Sequence, residues 1–345
     1  MKNLIQINQV QYDSGLFESH QTGTHIDPMF SIKGGIPKAT NYMIVGDPGV
    51  GKSTVCLSII SNAKKNNSKV LFISAEMSRV DMYLYVERYP IFGDLDILFT
   101  GEHIDQNPKI LIEEILNEGY DLVLIDSFVE LQDDIKESCH ISTGQAEKWL
   151  LNLMYQHNLA KNSAKKYTTF LAIQQVNKGG SFVGSNKLKH MTTGMMEIRF
   201  EDTENVEAGR FIVFSKNRRG HVGKKLYFDL SGNGDVHYDW DRLQKAEKLE
   251  QIRKEEKEKM KGEDVKFNEI FGLNQKPEIG IEVYEGELIV YTQGELMDLQ
   301  TYDLIKMCIS LNIQIPLEGK NTHKKIRNLL VGLPKHIAES DSAQQ

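Results

Sequence analysis

Residues 46–53 read GDPGVGKS and fit the pattern G-x-x-x-x-G-K-[S/T] throughout. An apolar run, NYMIVG (41–46), precedes the pattern, and KSTVCLSIISNAKK (52–65) follows it with helical apolar positions and a basic last turn. A strand that runs into a glycine-rich turn and then a helix builds a phosphate cradle. Gly46, Gly49 and Gly51 let the backbone curl so that successive N–H groups converge on phosphate oxygens. The helix start near Lys52 adds its positive end. Asp47, Pro48 and Val50 complete the loop and Thr54 follows it. Lys52 is the residue that reaches β- and γ-phosphates, and the Ser53 hydroxyl is the one that ligates Mg²⁺.

The rest of the first 175 residues alternates short apolar runs with helical patterns. VLFIS (70–74), IFGDLDILFT (91–100), YDLVLIDS (120–127) and TTFLAIQQ (168–175) read as strands, and KILIEEILNEG (109–119) and AEKWLLNLMYQHNLAK (146–161) as helices. Near-continuous apolar strands of this kind predict an α/β fold with a mainly parallel sheet covered by helices on both faces. The pattern then changes. Strands at 194–201, 209–215, 224–230 and 235–239 are spaced like an antiparallel meander at the sheet edge. A phosphate cradle of this type needs a carboxylate at the end of a buried strand to hold Mg²⁺, and Asp126 fits. Hydrolysis needs a base, and Glu76 follows the strand after the cradle helix. Glu76 is expected to overlook the γ-phosphate if its strand neighbours the cradle strand.

Charge and cysteine content narrow the setting. Lys+Arg 41 against Asp+Glu 48 gives a net charge of −7, which excludes a wholly basic nucleic-acid binder and leaves room for a local basic patch. The three cysteines are far apart, which excludes a disulfide framework and a CxxC zinc module and fits a reducing compartment. No apolar stretch is long enough for a transmembrane helix or a signal peptide, so a cytoplasmic chain without membrane contact is expected. The highly charged run at 241–264 predicts a solvated helical linker. The expected organisation is a core at 1–240, a linker at 241–265 and a small C-terminal α+β domain at 266–345. That domain holds a hairpin over 279–292 and helices at 301–313 and 322–333.

GGIPKATNYMIVGDPGVGKST, VLFISAEMS, DLVLIDS and FSKNRRG resemble, in order and spacing, the RecA-like core of bacterial RadA/Sms proteins and of DnaB-type hexameric helicases. QQVNKGGSFVGSNKLKHM (174–191) is similar to RadA, whereas SAEMS and QQVN are closer to DnaB-type motifs. KNRRG (216–220) departs from the RadA motif KNRFG at Arg219. The resemblance covers about 30–240. RadA's four-cysteine zinc module and Lon-protease-like domain are not expected here, nor the helical N-terminal domain of DnaB-type helicases. The resemblance implies a RecA-like ATPase that assembles as a ring or filament with ATP and Mg²⁺ at the subunit boundary, and a hexameric ring is the form expected here. It makes Glu76 the catalytic glutamate and Gln175 the γ-phosphate sensor. Lys216 and Arg218 become cations that reach the neighbour's ATP, and such a trans-acting cation neutralises transition-state charge.

Residues 161–196 hold six lysines and no Asp or Glu. Flexible glycines with Lys178, Lys187, Lys189 and the aromatic Phe182 suit a loop that tracks single-stranded phosphates. The 301–335 segment resembles SAP/HeH-type helix pairs, a small DNA-binding appendage. The function expected is an ATP-dependent DNA motor, a helicase or branch-migration enzyme on single-stranded or forked DNA, alongside replication or recombination proteins. Two alternatives remain open: a RecA/UvsX-like strand-exchange filament, and a KaiC-like regulatory ATPase whose partner is protein.

Overall fold

In a computed structural model, residues 6–103, 106–174, 186–270, 278–283 and 287–292 are described. The elements run β1 (Ser19–His20), α1 (Asp27–Phe30), β2 (Ile36–Pro37), β3 (Asn41–Gly46), α2 (Lys52–Lys65), β4 (Val70–Ser74), α3 (Arg79–Arg88), β5 (Ile97–Phe99), α4 (Pro108–Asn117), β6 (Leu122–Asp126), α5 (Phe128–Ser138), α6 (Thr143–Asn158), β7 (Thr169–Ile173), α7 (Asn186–Met191), β8 (Gly194–Phe200), β9 (Arg210–Asn217), β10 (Lys225–Leu230), β11 (Val236–Asp239), α8 (Trp240–Ile270), β12 (Glu278–Val283) and β13 (Glu287–Thr292).

The central sheet has the order β11-β10-β9-β8-β3-β7-β6-β4-β5. From β8 to β5 all pairings are parallel, and from β8 to β11 they are antiparallel. β4, β6 and β7 are buried at every position, because both faces are covered. Side chains alternate between two cores, as a period of two requires. Tyr42, Ile44, Phe72, Leu124 and Leu171 join Val55, Leu57, Ile59 and Ile60 of α2 in one core. Met43, Leu71, Ile73, Val123 and Phe170 join Ile112, Leu131, Ile135, Leu150 and Met154 of α4, α5 and α6 in the other. The result is the α/β, RecA-like arrangement expected, with a mainly parallel sheet, helices on both faces and antiparallel edge strands.

Three features differ from the sequence expectation. The strand at 194–201 is not wholly part of an antiparallel meander: β8 lies parallel to β3 on one side and antiparallel to β9 on the other. Its alternating pattern is the same for either pairing, so the sequence does not separate them. α3 and α5 were not anticipated. Each starts at a serine N-cap, Ser78 with Asp81 in a capping box and Ser127 accepting from the Glu130 N–H. Finally, β4 does not neighbour β3, because β7 and β6 lie between them.

The chain divides into two compact units, Met1–Lys248 and Leu249–Gln345. α8 runs through the charged stretch expected to be helical. In the second unit β12 and β13 form an antiparallel hairpin whose register closes at Val283↔Glu287. The helices expected at 301–313 and 322–333 lie outside the described residues. Among the described residues no helix is long and apolar enough to cross a membrane.

Candidate active site

The phosphate cradle leaves the C-terminal end of β3, where the ends of β4, β6 and β7 also arrive, and this is the usual crevice of an open parallel sheet. Gly49 and Gly51 adopt φ of 72° and 99°, the left-handed region that a side chain disfavours. Gly46 is fixed for another reason: a Cβ there would meet the Ile198 carbonyl oxygen at 2.0 Å, so the close β3–β8 pairing needs a glycine. α2 has Gly51 as N-cap with no side-chain cap, which leaves its first N–H groups available to an anion.

A cleft of about 530 Å³ opens there, lined among others by Gly49, Gly51, Lys52, Ser53, Glu76 and Asp126. Lys52 Nζ donates to the carbonyls of Gly46 at 3.2 Å and Asp47 at 3.0 Å. Burial lowers the Lys52 pKa, and Asp126 and Glu76 oppose that shift. Ser53 Oγ donates to Asp126 Oδ2 at 2.6 Å. Burial pushes the Asp126 carboxyl up to about 6; Glu76 adds to the rise, while the Ser53 bond and Lys52 counter it. A hydroxyl and a carboxylate in contact, with a second carboxylate nearby, form an all-oxygen donor set. Such a set fits Mg²⁺, a hard cation usually held by one or two carboxylates plus phosphates and water. Ser53 and Asp126 are the residues that would hold it. Among the described residues no cluster of three or more His, Cys, Asp or Glu forms a metal cage.

Glu76 reaches this cleft although two strands, β7 and β6, separate β4 from β3. The N–H groups of Ala75 and Glu76 donate to the Asp126 carbonyl at 2.8 and 3.2 Å, which curls the end of β4 over the end of β6. Thr54 Oγ1 lies 2.6 Å from the Tyr85 hydroxyl, and Tyr85 lines the cleft. Asp47 and Val50 contribute backbone to the loop, and their side chains go elsewhere. Asp47 accepts from Arg199 Nη1 at 2.8 Å and from the Phe200 N–H, tying the loop to β8, and Val50 is fully buried. Gln175 lies outside the described residues, just beyond β7.

Tyr85, Arg199 and Arg210 were not singled out from the sequence as nucleotide-site residues. A helical spacing was available for the first: Met82, Tyr85, Val86 and Tyr89 fall on the side of α3 that meets the core. Arg210 Nη1 stands 3.9 Å from where a Cβ on Gly51 would be. No local pattern marks either arginine, because β8 and β9 reach the loop only through the sheet order.

Lys216 and Arg218 occupy the opposite end of the sheet. Gly194 pairs with Asn217 on one side and Tyr42 on the other, whereas Gly46 pairs with Ile198. Four residues of strand separate the two ends, roughly 13 Å at the usual rise. Neither cation is placed to serve its own chain's cradle. Of the expected DNA contacts, Lys178 and Phe182 lie outside the described residues. Lys187 lies on α7, and Lys189 is exposed on the same helix.

A family model described as "ATPase: KaiC" matches residues 21–93. DNA repair protein RadA of Campylobacter jejuni is 27% identical over 201 residues, covering 58% of this chain and 42% of that protein. RadA of Aquifex aeolicus is 26% identical over 208 residues, covering 59% and 43%. RadA of Streptococcus pyogenes serotype M1 is 28% identical over 218 residues, covering 63% and 45%. The chain thus spans less than half the length of the curated relatives it matches. A KaiC-like protein of Pyrococcus horikoshii superposes with a TM-score of 0.49 at 16% identity, covering 64% of this chain and 99% of that one.

Proposed function

We propose that this chain, a RecA-like P-loop ATPase whose core is similar to RadA, is an ATP-dependent motor on single-stranded or forked DNA. In this reading it works as a homo-oligomeric ring, a hexamer, with ATP shared between subunits. The observation that carries the reading is the position of Arg218, at the far end of the sheet from its own cradle. An arginine there serves ATP only from a neighbouring subunit, so assembly becomes a condition of hydrolysis. The names of the relatives support the DNA repair setting, and the acid-free lysine segment at 161–196 supports contact with DNA phosphates.

In this mechanism the cradle N–H groups and Lys52 bind and orient the phosphates. Mg²⁺, when bound, supplies neutralisation of phosphate charge. Glu76 takes the proton from the attacking water, and Arg218 of the next subunit meets charge developing on the transferred phosphoryl group. Glu76→Gln keeps ATP bound, because the amide preserves shape. It is expected to lower turnover by about 10²–10⁴, the usual contribution of a general base. Single-turnover assays beside nucleotide binding check this, and wild-type turnover would remove Glu76 from the role.

DNA contact is tested by salt dependence. Each phosphate contact on a single strand contributes about 0.7 to the slope of log affinity against log salt. Replacing Lys178, Lys187 and Lys189 together by Ala is expected to reduce that slope by up to roughly 2. An unchanged slope would place the strand elsewhere. A wild-type chain that neither shifts single strands nor responds to them in ATP turnover would favour the second reading, a regulatory ATPase acting on protein. The matched family description at 21–93 supports that alternative.

A further inference from the structure

Among the described residues, a pair of hydroxyls in the nucleotide cleft holds a hydrogen that no protein acceptor takes. Thr54 lies in the first turn of α2, one residue past Ser53, and Tyr85 lies on α3. Both line the cleft, and their hydroxyl oxygens stand 2.6 Å apart. Each hydroxyl has one hydrogen to donate, and the bond between them uses one of the two. A phenol is the more acidic hydroxyl and the better donor, and an aliphatic hydroxyl keeps two lone pairs for accepting. Tyr85 therefore donates to Thr54, and the Thr54 hydrogen is the one left over. Burial pushes the Tyr85 phenol up to about 12, so it stays a donor through the neutral range. Its ring is fixed on α3: it meets Tyr89 edge-on at 4.9 Å and stacks on Phe92 at 6.1 Å between centroids.

We propose that Tyr85 is a positioning residue for the nucleotide: it holds the Thr54 hydroxyl in the rotamer that donates to an oxygen of the α-phosphate. The proposal rests on the reading of the cradle as an ATP site, and it is independent of DNA and of the subunit boundary. The phosphate follows from position. Lys52 reaches the β- and γ-phosphates and Ser53 serves Mg²⁺, which leaves the α-phosphate to the next residue along the helix start. Without the phenol, Thr54 has the usual alternative of a helical threonine, a bond to the carbonyl three or four residues back. That bond turns its hydrogen away from the cleft. The α-phosphate is common to ATP and ADP, so the pair tightens the grip on both and adds nothing to the difference between them. Glu76 is distinct in that respect, since it acts at the γ-phosphate. A group that holds ADP as firmly as ATP also delays release of the product.

The test uses the full chain as wild type, Tyr85→Phe, Thr54→Val and the double variant, with ATP and ADP binding measured by calorimetry. Tyr85→Phe keeps the ring and its packing, and Thr54→Val keeps the branched shape. For Tyr85→Phe both affinities are expected to fall by the same factor, about tenfold, the lower end of what a hydrogen bond to a charged group contributes. Thr54→Val is expected to lose at least as much. The double variant is expected to bind no more weakly than Thr54→Val, because Tyr85 acts only through that hydroxyl. The two isomers of α-thio-ATP are then compared. With the isomer whose sulfur replaces the contacted oxygen, wild type and Tyr85→Phe are expected to bind alike, since sulfur is a weak acceptor. If both isomers still separate the two chains, the α-phosphate is not the partner and the proposal falls. A loss confined to ATP would overturn it by moving the contact to the γ-phosphate. Wild-type affinities in Tyr85→Phe, or a Tyr85→Phe loss that persists in full in the Thr54→Val background, would overturn it as well. A wild-type chain that binds neither ATP nor ADP would overturn the ATP reading of the cradle, and the proposal with it.

Discussion

Lys52→Ala is expected to remove ATP hydrolysis, with turnover lower by at least about 10²–10³, the range found when one preorganised charge-stabilising donor is deleted. ATP binding is expected to weaken as well, by the 1.5–3 kcal/mol or so typical of a hydrogen bond to a charged group. The reason lies in the cleft. The Lys52 ammonium lies among Asp126, Glu76 and the Asp47 backbone. Without it, two carboxylates face the incoming phosphates and the ammonium that offsets them is gone. The fold is expected to survive, since among the described residues the ammonium bonds only to the loop carbonyls of Gly46 and Asp47. Circular dichroism and a nucleotide-binding isotherm beside the turnover assay separate loss of chemistry from loss of structure. A folded Lys52→Ala chain that hydrolyses ATP at the wild-type rate would mean that the cradle is not the reactive site.

Much of this site was legible because its chemistry is local in sequence. Gly49, Gly51, Lys52 and Ser53 lie within one loop and one helix start, and the spacing is itself the mechanism. Asp126 was legible because a cradle of this type needs a carboxylate at the end of a buried strand and the run at 120–127 supplies one, and the Ser53 hydroxyl donates to it. Glu76 was found for a reason that the sheet order does not support. β4 lies away from β3, and Glu76 reaches the cleft through its backbone bond to Asp126. Within the loop, the variable positions carry no such information. Nothing in the spacing says that Asp47 pairs with Arg199, since the two meet only because β8 lies beside β3.

The same limit governs the fold. Fully buried strands such as β4, β6 and β7 announce themselves as apolar runs, and helices such as α4 by their period. Pairing direction is different. β8 alternates in the same way whether its neighbour runs parallel or antiparallel, and the choice is made by the chain that returns it through α7 to the start of β3. Arg210 beside Gly51 and Tyr85 beside Thr54 follow from such returns, so no local pattern singles them out.

Arg218→Ala is expected to lower hydrolysis by about 10³–10⁵, the range for a trans-acting arginine on a transferred phosphoryl group. ATP affinity is expected to stay nearly intact, because Arg218 lies at the far end of the sheet from its own cradle. Its one described side-chain bond, to the His190 carbonyl, is on an exposed turn, so the substitution leaves the core untouched. The shape of the defect distinguishes this residue from Lys52: one variant binds ATP and fails to cleave it, and the other is impaired in both. The most direct measurement mixes the two. Arg218→Ala subunits carry an intact cradle, and Lys52→Ala subunits carry an intact arginine. Each alone is expected to be inactive. Once co-assembly is established by pull-down of one tagged variant with the other, ATP turnover is measured across mixing ratios. A shared site predicts that activity returns in part and peaks at intermediate ratios, where an intact cradle meets an intact arginine. Co-assembled mixtures that stay inactive at every ratio would contradict a nucleotide site built from two subunits.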